Sequence, residues 1–170
     1  LNLIEDFFKK HGFHILPFSS FLKDCSLPKG FYPEKKILPS FQKYILDSAE
    51  VGINLLNTIS RFDVGQSAVV SSKLVYAIEG QEGTDCMIDR AASLSNKNKL
   101  ITHPGPVLIK IPKINQNINL DPPVVGFETV RKCIENNFSS LVVSSNGTII
   151  FELKKIMNLI NAKNFVIYVV

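Results

Sequence analysis

Leu74-Val-Tyr-Ala-Ile78 followed by Glu79-Gly-Gln-Glu82-Gly-Thr84-Asp85 is the stretch whose reading decides the fold. The first five residues are apolar and β-rich, which predicts a strand. Gly80 and Gly83 then break the pattern, and Thr84 is a good N-cap for a helix running to about Leu94. Upstream, Ser67–Val70 is a second β-rich run, separated from the first by Ser71-Ser72-Lys73, which predicts a hairpin. Before that, Tyr44, Ile45, Ala49, Ile53, Leu56 and Ile59 recur every three or four residues and predict a helix over Phe41–Ser60. Downstream, Val107–Ile111 reads as a strand, Thr129–Asn136 as a helix and Leu141–Ser144 as a strand. Asn146-Gly147 is a hairpin signal leading to Thr148–Phe151, then a helix over Leu153–Asn161 and a closing strand over Phe165–Val169. Interleaved strands and helices with hairpins among them predict an α/β (α+β) fold with a mixed β-sheet and flanking helices.

The amino-terminal quarter reads differently. Leu3, Ile4, Phe7 and Phe8 fall at helical spacing, with Gly12 as a stop. Phe13–Leu16 is strand-like, Phe18–Lys23 suits a helical turn, and Leu27–Ser40, with Pro28, Gly30, Pro33 and Pro39, reads as a linker. The phenylalanines at 7, 8, 13, 18 and 21 are expected in a core or against a contact, with lipid as the lesser alternative. The chain opens inside a helix, without methionine or leader, so it is expected to be a trimmed or partial chain.

Composition sets bounds. In 170 residues, 45% hydrophobic and 20% charged, disorder is excluded, and no apolar run reaches the length of a membrane span. Cys25, Cys86 and Cys133 are too few and scattered for a disulfide framework, which points to a reducing compartment. A net charge of +4, spread along the chain, argues against a nucleic-acid partner.

Three segments carry candidate chemistry. Glu79, Glu82 and Asp85 lie with two glycines at a strand-to-helix turn, where α/β folds place ligands. Backbone amides there suit a phosphate oxygen, and carboxylates beside phosphate suit a bridging magnesium ion. The alternative is that Glu82 and Asp85 complement the helix dipole while Glu79 is a solvated strand end. In the second segment, Lys110 interrupts a strand that otherwise reads as buried, followed by Lys113, Gln116, Asn117, Asn119 and Asp121 before Pro122-Pro123. Two ammoniums, amides and a carboxylate suit a phosphate-bearing ligand, or else a solvated loop with a snorkelling lysine. The third, Asp63-Val-Gly65-Gln66-Ser67, sits at a helix-to-strand junction, where Gln66 and Ser67 bind ligand or satisfy backbone groups. His11, His14 and His103 lack metal spacing, and Asn137 and Asn146 head sequons that a reducing compartment leaves unused.

Taken in order, Asp63-Val-Gly-Gln-Ser67, Glu79-x-x-Glu82-Gly-Thr-Asp85, Val107-Leu-Ile-Lys110-x-x-Lys113-x-x-Gln116 and Asp121-x-Pro123-x-x-Gly126-x-x-Thr129 resemble the UDP-2,3-diacylglucosamine pyrophosphatases of the LpxI type. The likeness runs from about Asp47 to Val170. Residues 1–39 resemble the end of that family's Rossmann-like amino-terminal domain and its linker, leaving 40–170 as the carboxyl-terminal catalytic domain. The resemblance implies hydrolysis of UDP-2,3-diacylglucosamine to UMP and 2,3-diacylglucosamine 1-phosphate in lipid A synthesis. It implies water attacking the α-phosphorus, a divalent cation such as magnesium, and a cytoplasmic location at the inner-membrane surface. On that basis Asp121, Glu82 and Asp85 are the catalytic candidates, and Glu79, Glu82, Asp85 and Asp121 the metal candidates. Gln66, Ser67, Gly83, Thr84, Lys110, Lys113 and Gln116 are the substrate-binding candidates. Asn117 and Asn119 depart from the family pattern, which has Asp and Arg there. With most of the amino-terminal domain missing, these residues alone are expected to be weakly active or inactive, and the aromatic start could pair with a second copy. A non-catalytic binding module and a hydrolase of another sugar nucleotide are the alternatives.

Overall fold

The structure is a computed structural model that describes residues 2–17, 20–21, 23–97, 104–145 and 147–170. Its centre is three strands whose side chains alternate between two apolar faces. In β4 (Val107–Lys110), β6 (Ser140–Val143) and β8 (Val166–Val169), the residues Leu108, Leu141, Val143, Ile167 and Val169 share one face. Val107, Ile109, Val142 and Val166 share the other. Burial on both faces explains why these strands read as continuous apolar runs and not as alternating ones.

The six-stranded sheet has the order β1-β8-β6-β4-β2-β3, with β1 (Gly30–Tyr32), β2 (Ser67–Ser71) and β3 (Leu74–Ile78) added to the central three. The pairs β4–β6 and β6–β8 are parallel. The β2–β3 hairpin lies antiparallel against β4 at one edge, and β1 antiparallel against β8 at the other. The long helix α2 (Pro39–Ile59) covers one face through Ile45, Ala49 and Leu56. Three helices cover the other: α3 (Gly83–Lys97), α4 (Phe127–Glu135) and α5 (Leu153–Ala162), through Met87, Ile88, Val130, Cys133, Ile156 and Ile160. The mixed sheet and flanking helices expected from sequence are present. In the buried Cys133, loss of solvent raises the thiol pKa far above its usual value, so it is inert packing.

Close packing is tight where the chain enters β4. A Cβ on Gly105 would fall 1.9 Å from the Asn137 carbonyl oxygen. The Gly105 carbonyl in turn accepts Tyr44 Oη (3.0 Å) and Ser139 Oγ (2.5 Å). Gly105→Ala is expected to cost about 1–3 kcal/mol, read as a drop of several degrees in melting temperature.

Four local expectations are corrected. Asn146 lies outside the described residues, but the hairpin it was expected to turn is not formed. Strand β7 (Ile149–Ile150) pairs in parallel with β5 (Val124–Val125) in a separate two-stranded sheet. Both edges of β6 are already taken by β4 and β8, so a strand after it has nowhere to pair there. The segment read as a linker supplies β1, where Tyr32 is buried and pairs with Ile167, because the antiparallel edge of β8 needs a partner. Residues 13–17 form no strand, since no neighbour offers them a ladder. The aromatic start is not core: α1 (Asn2–Lys10) leaves Leu3, Ile4, Phe7 and Phe8 exposed, and Phe13 and Phe21 are exposed too. Phe7 and Phe8 meet only edge to face, as do Phe8 and Phe13. Phe18, most of the turn expected around it, and His103 lie outside the described residues. Among those residues no helix is long and apolar enough to cross a membrane.

Candidate functional site

Lys110 ends β4 on the face that Leu108 turns towards α3, paired in register with the buried Ser67 of β2. It is only 7% exposed, so its ammonium needs partners. Lys110 Nζ donates to Thr84 Oγ1 at 2.7 Å, and the Thr84 hydroxyl donates to Glu79 Oε1 at 2.6 Å. The Gln66 backbone N–H donates to Glu79 Oε2 at 3.0 Å, and Ser67 Oγ stands 3.5 Å from Thr84 Oγ1. A lysine, a threonine and a glutamate thus form one buried chain joining β4, α3 and β3. Burial alone would push the Glu79 carboxyl up. The hydroxyl of Thr84, the Gln66 amide, the Lys110 charge and Ser67 more than offset it and hold the carboxyl below its usual value. Burial pulls Lys110 below its usual value, opposed by the charges of Glu79 and Asp85.

Thr84 therefore does not cap α3. Gly83, at φ +79°, makes the turn, and the Thr84 side chain serves Glu79. Gly65 is confined from the other side: a Cβ there would lie 2.3 Å from the Glu79 carbonyl oxygen, which its own N–H bonds at 3.1 Å.

In front of this chain is a cleft of about 530 Å³, at the carboxyl end of β4. Gly65, Gln66, Glu79, Gly80 and Gly83 form one wall, and Lys113, Gln116 and Asp121 the other. Ser67, Thr84 and Lys110 stand behind the wall and are not among its lining residues. Lys113 Nζ pairs with Asp63 Oδ1 at 2.5 Å, which holds that exposed carboxyl below its usual value. Gln116 is a brace: its Oε1 accepts the Lys113 N–H at 2.9 Å and its Nε2 donates to the Asp121 carbonyl at 2.6 Å. Gln66 Oε1 is a buried acceptor with no partner among the described residues. Such an atom calls for a donor, from a water or a ligand. A larger hollow of about 830 Å³, lined by Phe41, Phe138 and Phe165, lies at the opposite end of the strands. It holds none of the motif residues, so the smaller, polar cleft is the candidate site.

Residues 36–168 match the LpxI C-terminal domain family. The chain belongs to this family. It is also similar to a curated protein, UDP-2,3-diacylglucosamine pyrophosphatase LpxI of Caulobacter vibrioides (strain ATCC 19089 / CIP 103742 / CB 15). The two are 28% identical over 159 residues, covering 92% of this chain and 55% of that protein. The chain thus spans about half the length of the curated relative it matches.

Within this LpxI C-terminal domain the four candidate metal carboxylates diverge. Glu79 is engaged in the buried chain. Glu82 accepts from Arg90 Nη2 at 2.5 Å and from the Gly80 N–H at 3.1 Å, and the guanidinium holds its carboxyl below the usual value. Asp85 is exposed and turns to α4, where it accepts the Thr129 hydroxyl at 3.2 Å. Asp121 lends its backbone carbonyl to Gln116, and its exposed carboxylate has no partner among the described residues. No group of three histidine, cysteine or acidic side chains converges on a cation among the described residues. What fits is narrower: one free carboxylate in a polar cleft, the kind of donor that magnesium uses together with substrate phosphates.

Two contacts escaped sequence reading. Arg90 binds both Glu82 and the Ile78 carbonyl (2.9 Å), and its separation of eight residues from Glu82 matches no local helix pairing. Asn117 donates from Nδ2 to Glu5 Oε2 at 2.6 Å and accepts the Asn119 N–H at 3.2 Å, so it ties α1 to the 113–121 loop. An aspartate there would set two carboxylates against each other.

Proposed function

We propose that this chain is the part of a UDP-2,3-diacylglucosamine pyrophosphatase that holds the substrate's diphosphate during hydrolysis to UMP and 2,3-diacylglucosamine 1-phosphate in lipid A synthesis. The supporting observation is the cleft in which Lys113, the unpartnered Gln66 oxygen and the uncommitted Asp121 carboxylate meet. Lys113 would neutralise phosphate charge, moving from Asp63 to the ligand. Lys110, locked behind the wall, adds a fixed positive field and anchors Thr84 and Glu79 so that the Gly65–Gln66 wall keeps its shape. Asp121 would orient the water that attacks the α-phosphorus, or hold a divalent cation against the phosphate oxygens. Bound there, magnesium would polarise the phosphoryl group. Glu82 and Asp85 act in this reading by shaping the turn, through Arg90 and Thr129.

The acylated product and substrate fit a cytoplasmic protein peripheral to the inner membrane. The exposed Leu3, Ile4, Phe7 and Phe8 of α1, followed by Lys9 and Lys10, suit contact with an anionic lipid surface or with a second copy. The division at residues 39/40 belongs to the same proposal.

The test is titration of UDP into the chain, with and without magnesium. Saturable binding is expected, weakened about tenfold or more in Lys113→Ala. Absence of UDP binding at millimolar concentration overturns the reading. A second reading, a binding module without turnover, is favoured by Asn117, which is committed to Glu5 where the family resemblance puts an aspartate. UDP binding without any UMP release from the acylated substrate by the full-length protein would support it.

A further inference from the structure

Asn117 and Glu5 are not among the residues lining the cleft, yet Asn117 governs the wall that carries Gln116 and Asp121. Its backbone carbonyl accepts the Leu120 N–H at 3.0 Å and the Asp121 N–H at 2.9 Å. Its side-chain oxygen accepts the Asn119 N–H at 3.2 Å. Residues 119–121 thus hang on Asn117, and a shift of Asn117 carries Asp121 with it. The remaining polar atom of the side chain, Nδ2, donates outward to Glu5 Oε2 of α1 at 2.6 Å, across 112 positions of sequence.

Glu5 is prepared for that contact. Its other oxygen pairs with Lys9 Nζ one helical turn on, at 2.6 Å, which aims the carboxylate. The Glu5 side chain is only 21% exposed, whereas Leu3, Ile4, Phe7 and Phe8 of the same helix are turned to solvent. A charged acceptor also makes the bond to Asn117 roughly twice as strong as one between neutral groups. An aspartate at position 117, which the family resemblance puts there, has no N–H to give, so the contact belongs to this chain's own sequence.

We propose that α1 is a strap on the 113–121 loop, with Glu5 and Asn117 as positioning residues. While Glu5 holds Asn117, the wall of Gln116 and Asp121 is set for a ligand, and release of α1 loosens it. A wall fixed before binding lowers the ordering cost of filling the cleft. The inference concerns control of the cleft, and it rests on the diphosphate reading only for the choice of UDP as probe.

The test uses the near-identical shapes of an amide and a carboxylate. Amide hydrogen exchange is measured on the ligand-free chain over 113–121, with β4, β6 and β8 as reference. Asn117→Asp sets a carboxylate against Glu5 and is expected to speed exchange at Leu120 and Asp121 about tenfold, leaving the reference strands unchanged. Glu5→Gln/Asn117→Asp swaps the two groups, so that an amide again meets a carboxylate, and is expected to return exchange to within about twofold of the parent. UDP affinity is expected to follow, about fivefold weaker in Asn117→Asp and restored in the double variant. The double variant keeps the negative charge at position 117, so its recovery separates the position of the loop from direct repulsion of the ligand. Parent-like exchange in Asn117→Asp overturns the strap. So does a double variant that stays as fast as Asn117→Asp, or faster loop exchange without loss of UDP affinity. Faster exchange throughout the reference strands, with a lowered melting temperature, also overturns it and makes the pair a general stability contact. If the parent chain does not bind UDP, the diphosphate reading falls, and the exchange comparison still decides the strap.

Discussion

On the diphosphate reading proposed above, Asp121→Ala in the full-length protein is expected to lower UMP release from UDP-2,3-diacylglucosamine by about a hundredfold or more, with little change in melting temperature. The asymmetry follows from how the residue is held. Its backbone N–H donates to the Asn117 carbonyl at 2.9 Å and its carbonyl accepts Gln116 Nε2 at 2.6 Å. Pro122 follows and restricts the backbone further. The carboxylate itself is exposed and supports no contact among the described residues, so its removal leaves the loop braced. What is lost is a negative charge lining the cleft, which on the proposed reading orients water or holds a cation. Turnover within a few-fold of the parent would remove Asp121 from the chemistry. A fall of many degrees in melting temperature would make it a structural residue instead.

Glu79→Ala is expected to do the opposite, costing about 3–5 kcal/mol of stability and on the order of 10 °C in melting temperature. The carboxylate is 8% exposed and takes hydrogen bonds on both oxygens. Its loss strands the Gln66 N–H and the Thr84 hydroxyl, and leaves only Asp85 to compensate the charge of the buried Lys110. The pH dependence has a defined sign. Because the Glu79 carboxyl is held below its usual value, its contribution is full above the ordinary glutamate range and is lost as pH falls through its lowered value. The stability gap between parent and variant is therefore expected to shrink in acid. Lys110 behaves in the reverse way: burial lowers its pKa, so its cost is present at neutral pH and is relieved as pH rises towards the ordinary lysine range. Glu79→Ala is thus expected to recover stability on the alkaline side. Glu79→Ala/Lys110→Met is expected to be less destabilised than the sum of the two single changes, since it removes both charges of one chain. Additive losses in chemical denaturation would show that the two residues are not coupled.

These predictions rest on contacts that differ in how legible they are from sequence. Lys110 announced itself, because an ammonium in an apolar run has to be answered by something. What answers it could not be read, because Thr84 and Glu79 lie 26 and 31 positions away, and only the register of β4 against β2 and the start of α3 brings them together. Thr84 reads as a helix cap by local rules. A buried carboxylate outcompetes that role, as an unpaired charge costs more than an uncapped amide. Glu79, Glu82 and Asp85 look like one cluster within seven residues. The turn at Gly83 sends them in three directions, to Thr84, Arg90 and Thr129.

The helices α1 to α5, the strands β2, β3, β4, β6 and β8 and the order of the motif segments were determined by sequence alone, since apolar period, glycine breaks and chain order are local properties. So was the family resemblance, which rests on those segments. Tertiary structure decided which strand pairs with which, as with β7 turned away from β6 and β1 closing the edge at β8. It also decided which polar residues are spent on the fold and which remain for a ligand. Glu79 and Lys110 satisfy each other through Thr84, while Asp121 and the Gln66 side-chain oxygen remain uncommitted. The physical reason is that a buried charge or amide must find its partner wherever the packed chain supplies one. That partner is set by distance in space, which residue spacing along the chain does not encode.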